Sequence, residues 1–201
     1  MKKFLYAVAP IVFIAAMSFK TVEPLPIGSK IPKASVKMLS VSGKEISMQD
    51  AMKEKGVLVM FSCNTCPYVI KNQERTKAIA AYAEKNNVGF ILLNSNEAQR
   101  SDEDAYAQMK KYADDQKYSW PYVIDKNSEV ANAFGANRTP ECFLFDKNGF
   151  LVYHGAIDDS PADPSTITRQ HLKEAISQMT EGKAVMVAQS KSVGCGIKRV
   201  G

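Results

Sequence analysis

The chain has 201 residues, 45% of them hydrophobic and 23% charged, which suits one domain with a real core and argues against both disorder and a membrane bundle. The formal net charge is +5, but Lys2 and Lys3 carry two of those charges. No dense run of Lys and Arg follows, so nucleic acid is not an expected partner.

The opening "MKKFLYAVAPIVFIAAMSFK" predicts a secretory signal over residues 1–18. Lys2 and Lys3 form its basic start, Phe4 to Met17 its apolar stretch, and Ala16 and Ser18 the small residues that cleavage needs. The stretch is short for a bilayer span. The expectation is an exported, periplasmic protein, soluble after cleavage. Residues 19–30, rich in proline, predict an extended linker. Residues 31–184 are the expected domain, and 185–201 an irregular tail carrying Cys195.

Within the domain, "ASVKMLSVSGKEISM" alternates around Ser42-Gly43 and predicts an N-terminal hairpin. "GVLVMF" (56–61) and "VGFILLN" (88–94) are continuous apolar runs of buried-strand type. Between them, Cys63 to about Lys85 has helical composition, with Ile79, Tyr82 and Ala83 on one face. Ser101 to Asp104 predicts a capping box opening a helix striped by Ala105, Met109 and Tyr112. "PYVID" reads as a short strand and "SEVANAFG" as a helix stopped by Gly135. "ECFLFDKNGFLVYHG" is a hairpin about Asn148-Gly149. A last helix is expected from near Asp163-Pro164, with Leu172, Ala175, Ile176 and Met179 on one side and Gly182 after it. Strands alternating with helices, then a hairpin and a helix, describe an α/β architecture with a mixed sheet.

The four cysteines are Cys63, Cys66, Cys142 and Cys195. In an exported protein, disulfides form and persist, and spacing alone does not choose among the pairings. Cys63 and Cys66 stand where a central strand hands over to a helix. Pro67 is tolerated only in a first helical turn, so the helix is expected to begin at or near Cys63. That position favours negative charge and can lower a cysteine pKa from ~8.5 towards ~3.5–7.5. Cys66, one turn on and less exposed, would resolve a mixed disulfide at Cys63. A zinc site would need more donors than the singly placed Cys142, Cys195, His154 and His171, so no metal and no organic cofactor is expected. Cys142, inside an apolar strand, reads as a small buried hydrophobe. Cys195 reads either as an accessory redox thiol or as a static partner of Cys142. His154 reads as a solvated or hydrogen-bonded histidine. Thr139-Pro140 lies between a helix and a strand, where either proline isomer fits.

"VMFSCNTCPYV", "TPECFLFDKNGFLVYHGAID" and "GCGIK" together resemble exported bacterial thioredoxin-like proteins of the redoxin group (alkyl hydroperoxide reductase and thiol-specific antioxidant relatives), over roughly residues 27–199. The resemblance implies a thioredoxin fold with helices on both faces of a mixed sheet, and thiol–disulfide exchange on protein or small-molecule disulfides. It gives Cys63 the attack, Cys66 the resolution, and Thr139 with a cis Pro140 the substrate strand. A membrane-linked electron donor or acceptor is the implied partner. The pattern departs from thioredoxin at Ser62, where thioredoxin has Trp, and at Val57, where it has a buried acid; Glu141 is the candidate substitute for proton transfer. A peroxiredoxin-like peroxidase is the alternative, but its Pro-x-x-x-Thr-x-x-Cys motif would need other residues than Gly56 and Met60. A non-enzymatic thioredoxin-fold module binding metal or protein is the second alternative.

Overall fold

The computed structural model describes residues 23–200; the expected signal segment, 1–18, lies outside the described residues. Two apolar runs form the parallel centre of a five-stranded mixed sheet. They are β3 (Gly56–Ser62) and β4 (Val88–Asn94), every residue of both buried. The short hairpin β1 (Met38–Leu39) and β2 (Glu45–Ile46) precedes them, followed by helix α1 (Met48–Ala51). After β3 come α2 (Pro67–Lys71) and α3 (Gln73–Lys85); after β4 come α4 (Tyr106–Gln116), β5 (Tyr122–Ile124) and α5 (Glu129–Phe134). The chain then runs through β6 (Arg138–Thr139), β7 (Glu141–Asp146), β8 (Leu151–Gly155), α6 (His171–Thr180) and β9 (Cys195–Gly196). Strand order is β5-β4-β3-β7-β8. β4 is parallel to both β3 and β5, while β7 is antiparallel to both β3 and β8.

The period-two alternation of β3 divides the core. Leu58 and Met60 face a layer holding Ile79, Ala83, Leu172 and Ile176 from α3 and α6. Val57, Val59 and Phe61 face the other, with Met48 of α1 and Val130 and Phe134 of α5. Helices therefore cover both faces, as expected of this class. On the second side Phe61, Phe134 and Phe143 form a closed triangle of edge-to-face rings, with centroids 5.1–5.6 Å apart. Such contacts add to simple area burial.

Several boundaries differ from the sequence expectation. The helix predicted from Cys63 to Lys85 is two helices meeting at Asn72, whose backbone (φ −93°, ψ 2°) leaves the helical range. No capping box forms at Ser101–Asp104, because α4 starts later, with Ala105 as its N-cap, and the Asp104 side chain turns inward. The capping box is instead at Ser47 and Asp50, opening α1 at the end of the segment read as a hairpin. Near Asp163-Pro164 only a short 3₁₀ turn forms (Pro164–Thr166), and α6 proper starts at His171. Gly135 does end α5, in the left-handed region at φ 64°. The segment read as a linker is tied down, since Leu25 N–H donates to the Phe134 carbonyl and Gly28 N–H to that of Leu151.

A candidate active site of three thiols

The sulfur pair sits where β3 leaves the sheet. Cys66 is the N-cap of α2 and Pro67 its first residue, which corrects the expectation of a helix beginning at or near Cys63. A proline at the first helical position also pushes the residue before it out of the α region. Cys66 is accordingly extended, at φ −64° and ψ 121°. The sulfur nearest the helix start is thus that of Cys66, and the two cysteines are equally buried, at 2% and 3% exposure.

Thr139 lies opposite. Its hydroxyl is 3.4 Å from the Cys63 sulfur, and its carbonyl oxygen accepts from the Cys66 thiol at 3.1 Å. The Thr139–Pro140 peptide bond is cis. β9 then brings Cys195 to the same place, because Thr139 pairs with Cys195 and Arg138 with Gly196 in an antiparallel ladder. Cys195 packs on the cluster formed by Cys63, Cys66 and Val69. Cys142 is elsewhere: it is buried among Leu58, Met60 and Leu144, and burial pushes its thiol up. All four cysteines are unpaired in the structure.

The surroundings split the two central sulfurs electrostatically. Cys66 is lowered to about 4, chiefly because the Cys63 thiol donates to it; the Cys195 thiol, the Val69 N–H and the Thr139 hydroxyl add to this against the cost of burial. The Val69 N–H acts by proximity, since no side-chain cap hydrogen bond of ordinary geometry forms. The Thr139 carbonyl, which accepts from the Cys66 thiol, opposes a Cys66 anion. Cys63 is pushed up by holding its proton toward Cys66, by burial, and by the negative charge of Asp104.

Asp104 was not legible as a site residue, because its sequence context read as a helix cap. Its carboxylate is fully buried and accepts from the Asn64 backbone N–H at 3.0 Å, from Asn94 Nδ2 at 2.7 Å and from Asn96 Nδ2 at 2.9 Å. Asn64 in turn donates to the Glu103 carbonyl and accepts from the Tyr122 hydroxyl, each at 2.9 Å. A fixed polar network thereby holds the residue between the two cysteines. The candidate acid Glu141 is engaged elsewhere. Its Oε2 accepts the Asn137 and Arg138 N–H groups at 2.7 and 3.0 Å, and its Oε1 lies 2.8 Å from His154 Nε2.

A dithiol at a strand-to-helix junction, facing a proline loop on a sheet of this topology, defines a thioredoxin-like oxidoreductase. The Redoxin family model matches residues 26–171, and the chain belongs to the Redoxin family. It is 26% identical over 136 residues to the thiol-disulfide oxidoreductase ResA of Geobacillus thermodenitrificans, covering 68% of this chain and 72% of that one. The ResA of Halalkalibacterium halodurans is 24% identical over 112 residues, 56% of this chain and 59% of its own. Among solved structures, a conserved protein of Geobacillus kaustophilus superposes with a TM-score of 0.81 at 33% identity, over 87% of this chain and 93% of that one. The thioredoxin domain of a Bacteroides vulgatus thiol-disulfide oxidoreductase shares the fold, at TM-score 0.55 and 20% identity over 66% and 89%. The protein is a thiol–disulfide oxidoreductase of this thioredoxin-like class.

Proposed function

We propose that the electron pair of this oxidoreductase is carried by Cys63 and Cys66, in an exported protein whose substrates are protein or small-molecule disulfides. The observation that carries this reading is the placement of the pair: both sulfurs are buried at the end of β3 against Thr139, Cys63 3.4 Å from its hydroxyl and Cys66 3.1 Å from its carbonyl oxygen, with Cys66 lowered and Cys63 raised. A thiolate beside a protonated thiol is the reactive form of a dithiol. In the reducing direction the pair closes to a disulfide, two electrons pass to the substrate disulfide, and the two substrate thiols take up the protons. The edge at Thr139 and Pro140 is where an extended substrate strand would pair in place of β9.

Export rests on the N-terminal signal pattern of residues 1–18; among the described residues, no helix is long and apolar enough to cross a membrane. Turnover outside the cytoplasm requires a partner that renews the dithiol or the disulfide, and a membrane-linked donor or acceptor suits that need. The test is reduction of insulin disulfides by the purified protein in the presence of dithiothreitol. Wild type accelerates the reaction, and Cys63→Ser and Cys66→Ser each lower the rate at least a hundredfold. Equal rates for wild type and both variants overturn the reading.

A further inference from the structure

The pair that holds the electrons is almost inaccessible. Cys63 and Cys66 are 2% and 3% exposed, and the edge that a substrate strand would use is already taken. β9 occupies it, with Cys195 paired to Thr139. The fit is close: a Cβ on Gly194 would come within 2.1 Å of the Thr139 carbonyl oxygen, so a side chain there would lift the strand. The tail is fastened on both sides of Cys195. Upstream, the Ser190 N–H donates to the His154 carbonyl; downstream, Ile197 N–H donates to the Asn137 carbonyl and Lys198 N–H to Asn96 Oδ1. Cys195 itself is only half-buried, and its neighbour Gly196 is exposed. It is the one sulfur of the cluster with a face toward solvent and another toward Cys66.

We infer that Cys195 is a third redox thiol, seated by β9 as a tethered substrate strand, and that it relays electrons between the buried Cys63–Cys66 pair and bulky disulfide substrates. The inference rests on the exchange reading above and adds the route. Cys195 passes its proton to the Cys66 thiolate it faces and attacks a substrate disulfide; a Cys195–substrate bond forms and the first substrate thiolate leaves, taking that proton back from Cys66. Cys66 then attacks the Cys195 sulfur, the Cys66–Cys195 bond forms, and the second substrate thiolate leaves. Finally Cys63 loses its proton to that departing thiolate and attacks Cys66. The Cys63–Cys66 bond forms and Cys195 is released as a thiolate; the membrane-linked donor proposed above reduces the Cys63–Cys66 bond before the next disulfide. One electron pair has moved from Cys63 and Cys66 to the substrate. Each step is reversible, so the same relay serves oxidation.

The experiment uses Cys66→Ser, which lacks the hub of the relay. Reduced variant is mixed with insulin, quenched with acid, and the covalent complex is mapped by peptide mass spectrometry. Insulin linked to Cys195 supports the relay. Insulin linked to Cys63 alone overturns it and leaves the exchange reading standing. No complex, together with no insulin reduction by wild type, overturns both. Two further variants guard against misfolding. Limited oxidation of Cys63→Ser with oxidised glutathione yields a Cys66–Cys195 disulfide if the relay is right; its absence counts against the relay. Gly194→Ala keeps all three sulfurs but displaces β9, and is expected to slow insulin reduction at least tenfold while the Cys63–Cys66 disulfide still forms. An unchanged rate in Gly194→Ala also counts against it.

Discussion

The Asn64 backbone N–H donates to the Asp104 carboxylate across 3.0 Å, which places a buried negative charge one residue from Cys63. That charge helps keep the proton on Cys63 and so leaves Cys66 as the anionic sulfur. Asp104→Asn offers one acceptor oxygen where the carboxylate met three donors. An unmet buried donor costs about 1–3 kcal/mol, so denaturant unfolding should show a loss of that order. The higher of the two thiol titration steps, followed by thiolate absorbance, should move to lower pH. Coincident unfolding curves and an unmoved step would remove Asp104 from the site.

Cys66 supplies a pH dependence with a definite sign. Its folded value of about 4 lies below the ~8.5 of a free cysteine, so the unfolded chain binds more protons between those limits. Its contribution to the stability of the reduced protein is full above ~8.5, and is lost as the pH falls through about 4. The raised Cys63 thiol acts oppositely and costs stability only in the alkaline range, above the ordinary cysteine value. Comparing melting temperatures of reduced wild type and Cys66→Ser from pH 4 to neutrality isolates the effect. The gap between them should widen with pH. Thiolate absorbance persisting down to mildly acidic pH in wild type, and disappearing in Cys66→Ser, is the direct check.

The sheet was largely legible in the sequence because buried parallel strands are continuous apolar runs, and "GVLVMF" and "VGFILLN" are both of this kind. The Asn148-Gly149 hairpin was equally plain, since its turn requires those residues. Helix starts were not. Pro67 signalled a first turn, but its restriction on Cys66 decides where that turn begins, and the two effects point to starts four residues apart. Asp104 was hidden for a different reason. An acid after a serine and before an apolar stripe fits a helix cap as well as a buried acceptor, and only the fold brings Asn64, Asn94 and Asn96 to it. Cys195 was suspected, but its partner was open between Cys142 and the Cys63–Cys66 pair. Strand pairing with Thr139 places it at Cys66, a long-range contact that local pattern does not encode.

The aromatic triangle beneath β3 supports the strand that ends at the cysteines. Phe61 is fully buried, two residues before Cys63, and packs edge-to-face on Phe134 and Phe143. Phe61→Ala removes both contacts and leaves a void, a change that costs about 3–5 kcal/mol in a rigid core. Urea unfolding should lose that much. A loss below ~1 kcal/mol would mean that the void collapses and that Phe61 does not brace the strand end.

Glu141 follows Pro140 directly, yet its carboxylate spans Asn137, Arg138 and His154. Two of those partners are N–H groups of the segment leading into Thr139, so Glu141 shapes the loop that meets the sulfurs. Glu141→Gln retains one oxygen for the N–H groups and turns an NH₂ toward His154 Nε2, which can accept it as the neutral tautomer carrying its proton on Nδ1. Glu141→Ala removes the acceptor of both N–H groups and the partner of the buried His154 ring. The expected order of stability is wild type, then Gln, then Ala, with the alanine variant about 1–3 kcal/mol below wild type. Exchange rates should fall in the same order, because the Thr139 edge loosens, while the pH of the thiol steps stays put. A thiol step displaced by Glu141→Gln, with stability unchanged, would instead make Glu141 the proton carrier of the dithiol.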